Sequence, residues 1–211
     1  MKKRVVCYGD SHTWGYIPGT GERYDESIRW TCLLQEKLGP DYVVVEEGLS
    51  GRTTVFDEPL DPDLNGIAPM PAILRSAAPI DLLIFMLGTN DFQMHIPAGN
   101  PITTARGIQT MLEKARKLEL DRPGGEKMKI LLISPIEVTE AWLVLNEDRQ
   151  IIDDSRRLGK YLAVVAEELG VAFMDAAKYI KPCDVDGVHM DEAGHAHMAE
   201  LVYEKVKELL P

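Results

Sequence analysis

Short continuous apolar runs alternate along this chain with longer stretches in which apolar residues recur every three or four positions. Arg4–Tyr8, Tyr42–Val45, Asp81–Leu87, Lys129–Ile133 and Val171–Met174 are runs of the first kind, and they predict five strands. Ser27–Leu38 is of the second kind, with apolar residues at 28, 30, 33, 34 and 38 and a stop at Gly39-Pro40. Further helices are predicted from about Ala72 to residue 78, over Ile102–Leu118, over 150–169 and over 191–210. The cluster Pro123-Gly124-Gly125 punctuates the turn before the fourth strand.

Strand and helix thus alternate, with a dozen or more residues in each crossover. Antiparallel neighbours do not need such long connections; parallel ones do. The prediction is an α/β three-layer α/β/α sandwich with a five-stranded parallel sheet. No repeat, low-complexity tract or long polar linker interrupts the pattern, so residues 1–211 read as a single domain.

In such a sheet ligands bind beyond the carboxyl ends of the strands. The residues that follow the strands therefore matter most. Gly9-Asp10-Ser11-His12 follows the first, Gly48-Leu49-Ser50-Gly51 the second and Gly88-Thr89-Asn90-Asp91 the third. Asp186-Gly187-Val188-His189 comes after the fifth, beyond Lys181-Pro182. All fall on one edge of the predicted sheet.

Composition narrows what that edge can serve. With 45% hydrophobic residues the chain can bury a substantial core. A net charge of −11 argues against a partner that is nucleic acid, which needs a basic face, and leaves neutral small molecules open. No apolar stretch approaches a membrane span. The start Met1-Lys2-Lys3-Arg4 leads directly into a strand rather than a secretory apolar region, which predicts no export signal. Cys7, Cys32 and Cys183 are odd in number and widely spaced, and fit reduced thiols in a cytoplasmic protein.

Acyl transfer needs a nucleophile, a base, a group that orients the base, and donors aimed at the developing oxyanion. Ser11 supplies a hydroxyl on a tight strand-to-helix turn. His189 supplies a base, with Asp186 three residues earlier to hold its second ring nitrogen. The N–H groups of Ser11 and Gly51 and the side chain of Asn90 supply donors. Each of these residues taken alone is commoner as a turn or capping residue. Their conjunction at successive strand ends is what points to chemistry.

The same blocks resemble the GDSL/SGNH hydrolase superfamily: Gly9-Asp10-Ser11, Gly51, Gly88-Thr89-Asn90-Asp91 and Asp186-Gly187-Val188-His189. The resemblance implies a flavodoxin-like fold and a serine esterase acting through an acyl-enzyme. It gives Ser11, Asp186 and His189 as the triad, and Ser11, Gly51 and Asn90 as the oxyanion hole. No cofactor and no metal are implied. The runs Gly9–Gly15, Arg29-Trp30-Thr31, Glu46–Thr54, Leu64-Asn65-Gly66 and Met86–Asp91 are similar to the bacterial arylesterase/acyltransferase subgroup. That subgroup implies small aryl or short-chain acyl esters as substrates, with acyl transfer to other acceptors and homo-oligomers in some members. A deacetylase of acetylated sugars is an alternative on the same fold.

The resemblance leaves the pocket least defined. His12 departs from the leucine usual at its position, and the segments 92–104 and 136–150 match no pattern. Trp14, Tyr16 and His12 beside the nucleophile, and Ile136 and Val138 after the fourth strand, are the expected substrate-binding residues. Trp142 and Leu143 continue that last apolar stretch as a flap or a subunit contact. Arg52 is expected to pair with Glu46 or Glu47, and Trp30 to lie on a helix away from the rim. Asp10 and Asp91 are expected to cap or brace their loops.

Two rivals come from other classes. A metal-dependent phosphoesterase would use Asp10-x-His12 and Gly194-His195-Ala196-His197, but its middle motifs are missing. His195 and His197 also fall on one predicted helix, pointing about 200° apart. A non-catalytic binding module would require the triad residues to be displaced.

Overall fold

A computed structural model describes residues 2–93, 95–96, 98–144 and 149–211. The chain begins with β1 (Lys3–Gly9) and a one-turn helix α1 (Ser11–Trp14), followed by α2 (Trp30–Leu38) and β2 (Tyr42–Gly48). Next come α3 (Met70–Ala77), β3 (Leu82–Met86), α4 (Pro101–Arg116) and β4 (Lys129–Ser134). The last elements are α5 (Gln150–Leu169), β5 (Ala172–Asp175) and α6 (Glu192–Leu209).

The five strands form one parallel sheet in the order β2-β1-β3-β4-β5. Alternate strand residues enter different cores because successive side chains point to opposite faces. Val6, Tyr8, Leu83, Phe85 and Leu132 pack with Met70 and Leu74 of α3, Ile108 and Met111 of α4, and Leu158 and Leu162 of α5. Val5, Cys7, Ile84, Met86 and Leu131 pack with Trp30 and Leu34 of α2 and Met198 and Val202 of α6. Both faces are covered, so the inner strands β1, β3 and β4 carry continuous apolar runs. The three-layer α/β/α prediction holds.

Two helix starts differ from the pattern. α2 begins at Trp30 rather than Ser27, because Asp25 draws the preceding residues into a separate turn. Its carboxylate accepts from Ser27 N at 3.0 Å and its carbonyl from Ile28 N at 3.0 Å. Arg29 is then extended, with φ −59° and ψ 129°. α3 begins at Met70 because Pro71 sits in its first turn, where a missing N–H costs nothing. Among the described residues no helix is long and apolar enough to cross a membrane.

Candidate active site

The edge formed by the carboxyl ends of the strands gathers the four clusters. At the end of β1, Asp10 caps α1: its Oδ1 accepts from His12 N at 3.0 Å. Gly15, with φ 89°, ends the turn and donates from its N–H to Ser11 O at 2.9 Å. Ser11 is the first residue of α1 and is 5% exposed. Trp30 braces the turn from behind, donating from Nε1 to His12 O at 3.0 Å. Trp30 is thus fully buried directly against this turn and not remote from it.

The loop before α6 folds back on itself, with Gly187 N on Cys183 O at 2.9 Å and Cys183 N on His189 O at 2.8 Å. This closure turns Asp186 and His189 toward Ser11. Asp186 Oδ1 accepts from Val188 N at 3.1 Å and His189 N at 3.0 Å, which fixes the carboxylate. Its Oδ2 accepts from His189 Nδ1 at 2.7 Å and from Gly19 N at 3.1 Å. Burial alone would push Asp186 up, but the bonds from His189 and Val188 outweigh it and hold the carboxyl well below its ordinary range. A carboxylate only accepts, so the shared proton lies on His189 Nδ1. Nε2 is left to accept from the Ser11 hydroxyl, 3.0 Å away. Tyr16 stacks on the outer face of His189, with centroids 4.1 Å apart and planes 23° from parallel.

The second and third clusters meet each other at the same edge of the sheet. Gly51 has φ 82°, a left-handed conformation that glycine adopts without strain. Neither its N–H nor that of Ser11 has a hydrogen-bond partner among the described residues. Asn90 lies in the turn Thr89–Phe92 and donates from Nδ2 to Arg52 O at 3.0 Å. Its neighbour Asp91 accepts from Thr54 N at 2.8 Å and Thr54 Oγ1 at 2.6 Å, joining the second and third clusters. Burial raises Asp91 to about 6 against those two bonds.

Such an arrangement can remove a proton from a hydroxyl and place donors where an oxyanion would form. It brings together Ser11, Asp186 and His189 in one bonded chain, and it sets Asn90 against the backbone of Arg52, the residue after Gly51. Other expected pocket residues lie elsewhere. His12 is 3% exposed, 5.6 Å from His189 between ring centroids, and neither ring nitrogen has a hydrogen-bond partner among the described residues; burial drives it down to about 3. Ile136 and Val138, at 3% and 2% exposure, are buried in the two cores, Ile136 on the α2–α6 side of the sheet and Val138 on the other, as the chain leaves β4. These three residues are almost wholly buried. Trp14 and Tyr16 are half-buried and adjacent, with centroids 6.3 Å apart.

The stretch after β4 buttresses the Asp186–His189 loop instead, with Thr139 N donating to Gly187 O at 2.8 Å. The Leu143 side chain and residues 145–148 of that segment lie outside the described residues. Among the described residues Arg52 forms no ion pair with a carboxylate. Its Nη1 donates to Gly9 O at 2.8 Å and to Glu47 O, and its guanidinium lies 4.3 Å from the Tyr8 ring centre. Glu46 instead takes a two-pronged contact from Arg29, at 3.0 Å on each oxygen. His195 is buried and accepts from Trp30 N at 3.3 Å, while His197 on the same helix is exposed. Among the described residues no group of three or more His, Cys, Asp or Glu is arranged to hold a metal ion.

Residues 7–197 match the model of the GDSL-like lipase/acylhydrolase family. The chain belongs to that family. Solved structures agree with the assignment. An inhibitor-bound aryl esterase of M. smegmatis is 33% identical, with a TM-score of 0.91 over 99% of this chain and 100% of that one. Est24, a carbohydrate acetylesterase from Sinorhizobium meliloti, is 30% identical, with a TM-score of 0.91 over 99% and 100%. A second carbohydrate acetylesterase family member from that organism is 33% identical, with a TM-score of 0.89 over 99% of each chain. No curated protein sequence matches the chain at significance. The GDSL-like chain is a serine ester hydrolase of carboxylic esters.

Tyr16 and Gly19 are less legible from the sequence than the blocks themselves. Both lie in the hairpin closed by the Tyr16–Arg23 bridge, and both touch the Asp186–His189 pair. The glycines at 19 and 21 mark a turn there, but nothing local says what that turn leans on.

Proposed function

We propose that this GDSL-like hydrolase cleaves small acyl esters through an acyl-enzyme on Ser11. The observation that carries the reading is the continuous bonded chain from Ser11 Oγ to His189 Nε2 at 3.0 Å and from His189 Nδ1 to Asp186 Oδ2 at 2.7 Å. His189 takes the proton as Ser11 attacks the carbonyl, and Asp186 stabilises the imidazolium. The N–H groups of Ser11 and Gly51 and the Asn90 amide receive the oxyanion. His189 then returns its proton to the departing alcohol or phenol, and water, or another acceptor alcohol, releases the acyl group. Likeness to an aryl esterase and to carbohydrate acetylesterases supports acetyl and other short acyl groups on an aromatic or sugar alcohol.

A fluorophosphonate should label Ser11, and Ser11→Ala should abolish p-nitrophenyl acetate turnover while EDTA leaves the parent active. Asn90→Ala should lower turnover by roughly 100–1000-fold, the usual cost of one oxyanion donor. Turnover retained in Ser11→Ala, or lost to EDTA, would overturn the reading. A panel of acetylated phenols and acetylated sugars decides the alcohol side.

A further inference from the structure

An asparagine amide is nearly symmetric in shape, yet its two orientations are chemically opposite. With Nδ2 toward the substrate it stabilises an oxyanion; turned over, it presents Oδ1 and repels one. Something must therefore choose between them. The backbone around Asn90 is anchored by Asp91 on Thr54, but that bond leaves the Asn90 side-chain torsion free.

Two contacts act on the amide itself. Arg52 O accepts from Nδ2 at 3.0 Å, and Gln93 Nε2 donates to Oδ1 at 3.1 Å. Turning the amide over would set Arg52 O against Oδ1 and the Gln93 donor against Nδ2. With the Gln93 amide held as it stands, both bonds would become mismatches. The Arg52 carbonyl is backbone and is present whatever residue stands at 52. The donor at 93 depends on side-chain identity.

Gln93 is half-buried at the end of the Thr89–Phe92 turn, where its own N–H reaches back to Asn90 O at 3.4 Å. This short reach lets its side chain meet Asn90 three residues back. We infer that Gln93 is a positioning residue which, by donating to Asn90 Oδ1, holds the Asn90 amide with a free N–H toward the substrate oxygen. This inference rests on the oxyanion role of Asn90 proposed above.

The decisive substitution is Gln93→Glu, nearly isosteric but able only to accept when ionised. It rewards the wrong amide orientation, whereas Gln93→Leu merely removes the preference. On p-nitrophenyl acetate, Gln93→Glu should lower kcat by about tenfold or more and Gln93→Leu by a few-fold, with KM within about twofold in both. In an Asn90→Ala background, Gln93→Glu should change kcat by less than about twofold, because the group it misdirects is gone. Gln93→Leu adds no charge and keeps the test readable should the new carboxylate unfold the loop. An equal fall in both backgrounds, or an unchanged kcat in both Gln93 variants, overturns the inference while leaving the Ser11 mechanism standing. Parent-level turnover in Asn90→Ala would instead remove the oxyanion role, and the inference with it.

Discussion

Ser11 sits between two carboxylates in opposite circumstances. Asp186 receives donors on both oxygens, whereas Asp10 receives one on Oδ1 and none on Oδ2. Burial dominates for Asp10 and raises it to about 7, although the bond from His12 N and the Arg52 charge oppose the rise. The stability consequences have opposite signs. The Asp186 contribution is present above the unfolded carboxyl value and is lost only in strong acid. For Asp10 the folded value lies above the unfolded 3.8, so its stability is intact in acid and is lost as pH rises toward about 7. Asp10→Asn keeps an oxygen for His12 N but cannot ionise. Its melting temperature, relative to the parent's, should therefore climb by several degrees between pH 5 and pH 8. Thermal melts across that range check it, and an offset that stays constant with pH would show that Asp10 carries no such penalty.

Among the elements, β2 approaches α1 closely enough to need a glycine. Gly48 pairs with Gly9 in the sheet, and a Cβ there would come within 2.3 Å of Trp14 N and 2.6 Å of Thr13 C. These are backbone atoms and cannot swing aside. Gly48→Ala should therefore displace the turn that carries Ser11. A loss on the order of 1–3 kcal/mol in stability is the usual cost of overpacking. Displacement of the nucleophile by a fraction of an ångström should lower turnover by roughly tenfold or more. Denaturant melts and ester kinetics on the variant would contradict this packing if neither moved. Elements of this kind are legible in the sequence because the inner strands β1, β3 and β4 are buried on both faces. Helix α2 starts three residues later than its apolar rhythm suggests, because the Asp25 turn continues that rhythm at Ile28 without being helix. Ile136 and Val138 look like rim residues for the converse reason. They follow a strand end closely, but the chain there turns each side chain into a core, Ile136 into one and Val138 into the other. Partner choice is illegible throughout: Arg29 for Glu46, Trp30 for the His12 carbonyl and Gln93 for Asn90 are contacts across turns or loops that no local pattern announces.

At the scale of the molecule, topology puts the site where it is. From β1 the chain moves to β2 on one side and returns to β3 on the other, so the crossovers part between β1 and β3. Ser11 follows the first of these strands and Asn90 follows the second, and the crevice of an open parallel sheet lies at such a switch. The chain as a whole carries 34 acidic and 23 basic residues. Arg23, the cation over Trp14, is within 3.7 Å of Glu46 and does little to offset the field. A net charge of −11 should therefore repel an anionic ester over distances that salt screens, about 30 Å at 0.01 M but only a few ångströms near 1 M. For an aryl acetate bearing a carboxylate, kcat/KM should rise roughly threefold or more from about 0.01 M to about 0.5 M NaCl. For neutral p-nitrophenyl acetate it should stay within about twofold, because no net charge is steered. Both substrates meet the same Ser11 and the same donors, so a common salt effect on chemistry or folding would move them together. Parallel responses would assign the salt effect to the enzyme itself, and only diverging ones would assign it to the field.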